Sequence, residues 1–220
     1  MSISIFIIIF NLYSTYLDKF VEFKNLEIEN SGISNPASNI SIKNNSISFE
    51  SNIFSFRSNP ESIKGLINPE ISISKLSYIT PSINEMNTYI FSYLTFNTSI
   101  YKEELFLISI SRKMPEIKVF APEEVLSFGA NIKLLKIKYT PDSYTENFFL
   151  EYGNEKEALS FDFGIFYKKR FKYSITMKNI ASGDIGIIEN FRLKKITTIS
   201  TEFNFKKFLL SGLLEIEEDG

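Results

Sequence analysis

The chain has 220 residues, is 44% hydrophobic and 15% aromatic, and carries a formal net charge of −2. The length predicts one sizeable domain, the aromatic content excludes an intrinsically disordered chain, and a charge near zero gives no basic field for nucleic acid. Because the sequence has no Cys and no His, disulfides, thiolate chemistry, imidazole metal sites and Ser-His-Asp catalysis are excluded.

The first 45 residues divide into an apolar start and a loop-rich segment. Residues 3–10 are almost entirely apolar, too few for a spanning helix but about the length of a signal peptide's apolar core. We predict a secretory signal peptide over residues 1–16, although no Lys or Arg precedes the run; a buried first strand is the alternative. Residues 17–45 are predicted to be largely irregular, because Asn, Gly and Pro cluster around Asn35-Pro36.

Strands are predicted to dominate from residue 46 to residue 139. Apolar and polar residues alternate there with period two, which places them on opposite faces of a strand. A break in the alternation between Ser74 and Leu76 predicts a β-bulge. The predicted elements are a strand from Ser46, strands over Ile71–Tyr78 and Thr88–Ile100, a polar turn at Lys102–Glu104, a strand over Leu105–Ser111, an edge strand over Met114–Pro122, and a strand from Val125 whose phase shifts after Leu134.

The last third of the sequence contains two hairpins with arms of about ten residues. Leu159–Lys168 pairs with Phe171–Ile180, and Ile196–Phe205 with Phe208–Ile216; each connection is two basic residues. Strands of nine to eleven residues cross a bilayer when tilted, whereas strands of soluble sandwiches commonly have five or six. The pattern therefore predicts an all-β, antiparallel, up-and-down transmembrane β-barrel, with Phe- and Tyr-rich faces toward lipid and Ser-, Thr- and Asn-rich faces toward the lumen.

Five segments, in the same order and at similar spacing, resemble the FadL-like outer-membrane β-barrels, in particular their PorV/PorQ-type members. They are Asn35-Pro36-Ala37, Leu76–Pro81, Ser127–Lys133, Phe161–Tyr167 and Ser174–Ile180. The resemblance implies a protein of the bacterial outer membrane with a plug-like segment over residues 17–45, containing Asn35, Pro36 and Ala37, and a barrel domain over residues 46–220. Barrels of this family have about fourteen strands, so we expect this barrel to be incomplete at its C-terminal end.

The resemblance also sets the functional expectations. It implies that the protein is not an enzyme, holds no cofactor, and either passes hydrophobic solutes across the outer membrane or serves as a scaffold in surface-protein export. Its expected partners are the lipid bilayer and either hydrophobic small molecules or secretion-system proteins, with no nucleic acid.

One pair of charged residues is a candidate for a role in the lumen. Asp162 lies on the polar face of its predicted strand, and Lys178 lies on the neighbouring arm, so we predict an ion pair there; binding of solutes by Asp162 is the alternative. The sequence offers no catalytic or metal-ligating residues, and the paired carboxylates Glu103-Glu104 and Glu123-Glu124 are interpreted as solvated turn residues.

A second class of protein fits the same alternation. In a soluble or periplasmic β-sandwich or barrel that binds an apolar ligand, the apolar faces point inward. The two classes predict opposite orientations for Phe161, Phe163 and Ile165, toward lipid in the first and toward the interior in the second.

Overall fold

The computed structural model describes residues 35–55, 70–84, 86–98, 100–114, 124–169, 171–187, 190–205 and 208–218. Their strands form one antiparallel nine-stranded sheet in which each strand pairs with the next along the chain. The strands are β1 (Ser46–Ser55), β2 (Glu70–Pro81), β3 (Asn87–Asn97), β4 (Tyr101–Lys113), β5 (Val125–Tyr139), β6 (Glu155–Lys168), β7 (Phe171–Ser182), β8 (Lys195–Phe205) and β9 (Phe208–Glu218). The predicted signal peptide, most of the predicted plug segment and most of the predicted edge strand lie outside the described residues.

The strands run between an upper and a lower end of the sheet. At the upper end, β5 leads to β6 through helix α1 (Glu146–Tyr152), and β7 leads to β8 through residues 183–194. At the lower end, β2 turns into β3 at residues 82–86 and β6 turns into β7 at residues 169–170. Within the described part of the chain, β1 and β9 are edges that do not pair with each other, so the sheet is open.

From β2 to β8 the sheet is exposed on its apolar face and largely buried on its polar face, which is the reverse of a soluble β-protein, whereas the edge strands β1 and β9 are exposed on both faces. On β6, the side chains of Phe161 and Phe163 are 41% and 38% exposed, whereas Ser160 and Asp162 are buried. We call the exposed apolar face the outer face and the buried face the inner face. The exposed residues of the outer face are Ile47, Phe49, Leu76, Tyr78, Phe91, Phe106, Ile108, Ile110, Ile132, Leu159, Phe161, Phe163, Tyr173, Ile175, Met177, Ile199, Leu214 and Ile216.

The inner face becomes apolar toward the upper end. There Leu94, Leu105 and Leu135, from three neighbouring strands, pack in a core cluster with Ile185 and Leu193 of the connection between β7 and β8. This cluster explains the phase shift predicted after Leu134, because β5 is continuous from Val125 to Tyr139 and its hydrophobic side chains change from the outer face at Ile132 to the inner face at Leu135. The hydrophobic residues change faces because a connection covers the inner face here and excludes water from it.

Several local predictions need correction. The register from β1 through β3 has no shift, so the bulge predicted near Ser74 is absent there. Lys102–Glu104 lies inside β4, and Glu103 is buried on the inner face rather than solvated. Both predicted hairpins of the last third are confirmed, as β6–β7 and β8–β9.

Candidate functional site

A buried polar network occupies the middle of the inner face. Its charged pair joins β5 to β6, with the Lys133 Nζ atom 2.9 Å from Asp162 Oδ1. Asn131 donates to the other oxygen of Asp162 over 3.0 Å, and the backbone N–H of Asn179 donates to Oδ1 over 3.0 Å. We call Asn131, Lys133, Ser160, Asp162 and Asn179 the central network; all five residues are buried.

Asn179 completes this network because β7 is irregular at that position. The β6–β7 register shifts between Phe161 and Phe163, and Asn179 has a φ of 53°. A non-glycine residue rarely adopts this left-handed conformation, although Asn tolerates it better than most. Lys178 is buried by the regular alternation of β7, and the irregularity buries Asn179 next to it. The Asn179 side-chain oxygen then accepts from Lys133 Nζ over 2.7 Å and from Ser160 over 2.8 Å.

The structure places the two sequence-predicted charges on the same buried face. Asp162 and Lys178 are 3% and 7% exposed. The cation 2.9 Å from the Asp162 carboxylate is Lys133, which sequence reasoning did not single out as a partner. Lys133 is two residues past Asn131, the cross-strand partner of Asp162, and a long side chain reaches such a diagonal neighbour.

Below the central network, the inner face holds the segment that contains Asn35, Pro36 and Ala37. Asn35 caps a 3₁₀ helix, Pro36–Ser41, with its side-chain oxygen accepting from the Ala37 N–H over 2.9 Å. Proline suits the first turn because it has no N–H to leave unsatisfied. Asn35, Pro36, Ala37, Ser38 and Asn39 are all buried.

Serine hydroxyls and asparagine amides fasten this helix to four neighbouring strands. Ser111 of β4 and Ser127 of β5 donate to the carbonyl oxygens of Pro36 and Ala37, the second over 2.7 Å. Asn35 donates to the hydroxyl of Ser174 on β7 and to the Ile165 carbonyl on β6. In addition, Asn39 donates to Ser109 over 2.9 Å.

Two glycines let the helix approach the sheet. Gly129 and Gly164 are register partners on β5 and β6. A Cβ built on Gly129 would lie 2.6 Å from the Pro36 carbonyl oxygen, and one on Gly164 would lie 3.1 Å from the Pro36 ring. We call Ser109, Ser111, Ser127, Gly129, Gly164 and Ser174 the plug seat.

The Asp184 carboxylate stabilises the conformation of the connection between β7 and β8. Asp184 Oδ1 accepts from the N–H groups of Gly186 over 2.9 Å and Phe191 over 2.7 Å, while Oδ2 lies 3.3 Å from Lys156 Nζ. These backbone hydrogen bonds, followed by the charge of Lys156, hold the pKa of Asp184 below its ordinary value of 3.8. The connection thereby keeps Ile185 and Leu193 over the apolar end of the inner face.

Acid is expected to loosen this connection before it unfolds the sheet. Because the folded-state pKa of Asp184 is lowered, its stabilising contribution is present above pH 3.8 and is lost as the pH falls through the folded-state value. Amide-exchange protection at Gly186 and Phe191, corrected for intrinsic rates, should fall in that range. In Asp184→Asn, amide-exchange protection at Gly186 and Phe191 should already be low at pH 7 and should not fall further in acid. If the variant shows the same acid transition as wild type, the Asp184 carboxylate is not the group that holds this connection.

Charged side chains border the outer face at its upper end. Lys136 on β5 contacts Glu155 and Glu157 on β6, the latter over 3.0 Å, and Lys102 lies 2.8 Å from Glu104 on β4. Below this border, β6 is apolar on its outer face from Leu159 to Tyr167. That stretch rises about 27 Å along the strand, or about 20 Å at a tilt of roughly 40°, close to the roughly 25 Å height of a lipid-facing band.

Comparisons of the chain with models of protein families, with curated proteins and with solved structures find no match. In the described ranges, no helix is long and apolar enough to cross a membrane. No group of three or more Asp and Glu side chains in those ranges is placed to hold a metal ion. The fold and its two faces therefore carry the functional argument.

Proposed function

We propose that the chain forms the wall of a bacterial outer-membrane β-barrel, with the segment containing Asn35, Pro36 and Ala37 as a plug bound to its inner face. The observation that carries the proposal is the exposed apolar outer face opposite a buried polar inner face. Its eighteen exposed large side chains present on the order of 1,000 Å² of apolar surface, whereas monomeric soluble proteins rarely expose more than a few hundred Å² contiguously.

The soluble alternative predicts the opposite orientation for the decisive side chains. A β-protein with an apolar ligand inside its sheet would bury Phe161 and Phe163 and would expose Ser160 and Asp162. The described strands have the reverse arrangement, which supports a lipid-facing sheet.

Within the membrane proposal, the filled inner face favours a scaffold over an open pore. The plug occupies its lower part, the central network its middle and the apolar cluster its upper part. Lys133 and Asp162 are 2% and 3% exposed, whereas charges that line an aqueous channel are hydrated. We propose that the protein anchors or positions partners of surface-protein export at the membrane.

The apolar cluster at the upper end favours a second candidate function, passage of hydrophobic solutes. If residues 183–194 moved away, Leu94, Leu105 and Leu135 would become accessible from the upper end. A scaffold should bind no fluorescent fatty acid in either wild type or Asp184→Asn, whereas a solute pathway should bind it more strongly in Asp184→Asn, in which this connection is loosened.

Lipid quenching tests the orientation of the outer face. The sequence has no Trp, so Phe163→Trp is a unique fluorophore in the full chain folded into vesicles. Lipids with brominated acyl chains should strongly quench Phe163→Trp and should leave Phe96→Trp, a matched aromatic on the inner face, nearly unquenched. Equal quenching at both positions, or a chain that stays soluble without detergent on fractionation, would refute the membrane proposal. Heat-modifiable gel mobility confirms that each variant is folded.

A further inference from the structure

The lower end of the sheet carries more positive than negative charge where β4 to β8 begin or end. The described residues there are 112–114, 124–126, 167–169, 171–173 and 201–205. They include five basic and two acidic side chains, a net formal charge of +3. The sequence positions between them, 115–123 and 170, contain two basic and two acidic residues, so the excess is unchanged. At the upper end, 101–104, 136–157 and 182–195 contain seven basic and eight acidic described side chains.

Both described carboxylates of the lower end contact lysines, so they do not neutralise its other cations. Glu124 contacts Lys169, and a Glu202 oxygen lies 2.9 Å from Lys172 Nζ. These pairs lie next to β5 and β6 and between β7 and β8, whereas Arg112 belongs to β4. The positive charge of Arg112 is therefore available to an anion from outside the chain.

Arg112 is exposed on the outer face, among apolar side chains. Its register partner on β5 is Phe128, whose own partner on β6 is Ile165. From this row, one residue remains to the lower end of β4, three remain on β6 and six remain on β8. Strands of a barrel are staggered in this way because they tilt. Arg112 therefore lies at the lower border of the outer face, whereas Ile165, in the same row, lies deeper within it.

Aromatic rings continue this border on the neighbouring strands. The ring centroids of Tyr167 on β6 and Tyr173 on β7 are 6.2 Å apart, and Tyr173 is also 6.2 Å from Phe203 on β8. Aromatic side chains collect at the level of lipid headgroups, where one end of the residue is apolar and the other is wet. The rings and Arg112 thus lie at the level where the acyl chains of a bilayer would meet its headgroups.

We propose that the lower end of the sheet, at Arg112 and Lys113, binds the phosphate of an anionic phospholipid whose acyl chains lie against Phe128 and the outer face above it. This inference rests on the proposed membrane function. A guanidinium binds phosphate through two parallel hydrogen bonds, and its long stem reaches a headgroup from an apolar surface. An anionic lipid fits better than a soluble acidic polypeptide, because the site joins a cation to an apolar surface and an amphiphile is complementary to both.

Quenching by brominated acyl chains measures this lipid preference. Phe128→Trp is a unique fluorophore beside Arg112 in the full chain folded into phosphatidylcholine vesicles. Brominated phosphatidylglycerol, diluted into these vesicles at low salt, should quench it as if enriched about fivefold over brominated phosphatidylcholine, the effect of roughly one basic side chain at a membrane surface. Phe106→Trp, on the outer face of β4 toward the upper end, is the matched control and should show no preference.

Substitution of the cations tests which side chains produce the preference. Arg112→Gln/Lys113→Gln should bring the enrichment at Phe128→Trp to near one, whereas Lys136→Gln/Lys138→Gln at the upper end should leave it unchanged. Inorganic phosphate, compared with chloride at equal ionic strength, should not displace the lipid. A preference that survives the Arg112 and Lys113 substitutions, or that inorganic phosphate abolishes, would overturn the lipid site.

The same fluorophore distinguishes failure of this inference from failure of the membrane function. If both brominated lipids quench Phe128→Trp equally, only the phospholipid site is refuted, and binding of soluble polyglutamate would then assign the cations to an acidic polypeptide. If neither lipid quenches it, the membrane function itself is refuted. Heat-modifiable gel mobility confirms that each variant is folded.

Discussion

Replacing Lys133 with methionine is expected to lower the free energy of unfolding by about 3–5 kcal/mol, because it leaves the Asp162 carboxylate buried without its cation. The Lys133 and Asp162 side chains are 2% and 1% exposed, and their charged atoms are 2.9 Å apart. Methionine keeps most of the side-chain volume, so the loss is not that of a cavity. Urea titration of the chain in vesicles, followed by heat-modifiable gel mobility, measures the difference.

Lys136→Met is the matched control for this prediction. Lys136 is on the same strand, and its contacts are to Glu155 and Glu157, whose side chains are 37% and 52% exposed. Solvent screens this cluster, so the loss of Lys136 should lower the free energy of unfolding far less than the loss of Lys133. If Lys133→Met and Lys136→Met lower the free energy of unfolding by similar amounts, Lys133 and Asp162 do not form a tightly coupled buried pair.

A double-mutant cycle measures the interaction energy between Lys133 and Asp162 separately from the other effects of each substitution on stability. Asp162→Asn keeps one side-chain oxygen as an acceptor, replaces the other with an NH2 group that donates, and removes the charge that Lys133 neutralises. Lys133→Met/Asp162→Asn should therefore be less destabilised than the sum of the two single variants, by roughly 1–3 kcal/mol. Strict additivity would show that the two side chains do not depend on each other.

The two-faced strands could be predicted from the sequence because alternation is a local property. Phe161 and Phe163 alternate with Ser160 and Asp162, and this pattern alone determines which residues share a face. It cannot determine which face is solvated, and that choice separated the two predicted classes of protein. The structure shows which face is covered, because contacts between segments distant in sequence bury the polar side chains of the middle strands.

The central network could be predicted only in part, for a related reason. The position of Asp162 on the polar face follows from alternation, but its contact with Lys133 depends on the β5–β6 register. The contribution of Asn179 depends on a shift in β7 that moves its side chain to the buried face. Register is set by pairing across the sheet and by turn geometry, which one strand's sequence does not contain.

The sequence contains a signal for the plug seat that was not used to predict it. Gly129 and Gly164 each interrupt a strand of otherwise larger residues, and glycine within a strand often marks close approach of another backbone. That signal does not identify the approaching segment. Asn35 and Ser174, for example, are 139 residues apart in sequence.

Gly129→Ala is expected to displace the 3₁₀ helix and to destabilise the folded chain by about 1–3 kcal/mol, the range of overpacking in a well-packed core. The added methyl would lie 2.6 Å from the Pro36 carbonyl oxygen and in contact with the Pro36–Ala37 peptide. These are backbone atoms, which yield only if the helix moves. By strand propensity alone alanine would be favoured over glycine, so destabilisation would report the lost approach of the helix.

Gly183→Ala is the control, because the nearest atom to its added methyl is Ala158 Cβ at an ordinary 3.4 Å, and its effect should stay within about 0.5 kcal/mol. A protease that reaches the lower end of the sheet should cut the chain within residues 35–41 in Gly129→Ala. The same treatment should leave these residues uncut in wild type and in Gly183→Ala. Asn35→Ala, which removes the hydrogen bonds to Ser174 and Ile165, should cost less in the Gly129→Ala background than in wild type. If Asn35→Ala lowers the free energy of unfolding equally in both backgrounds, the helix stays bound despite the added methyl. If the Gly129→Ala protein is as stable and as protease-resistant as wild type, the inner face does not need glycine at this position to bind the 3₁₀ helix.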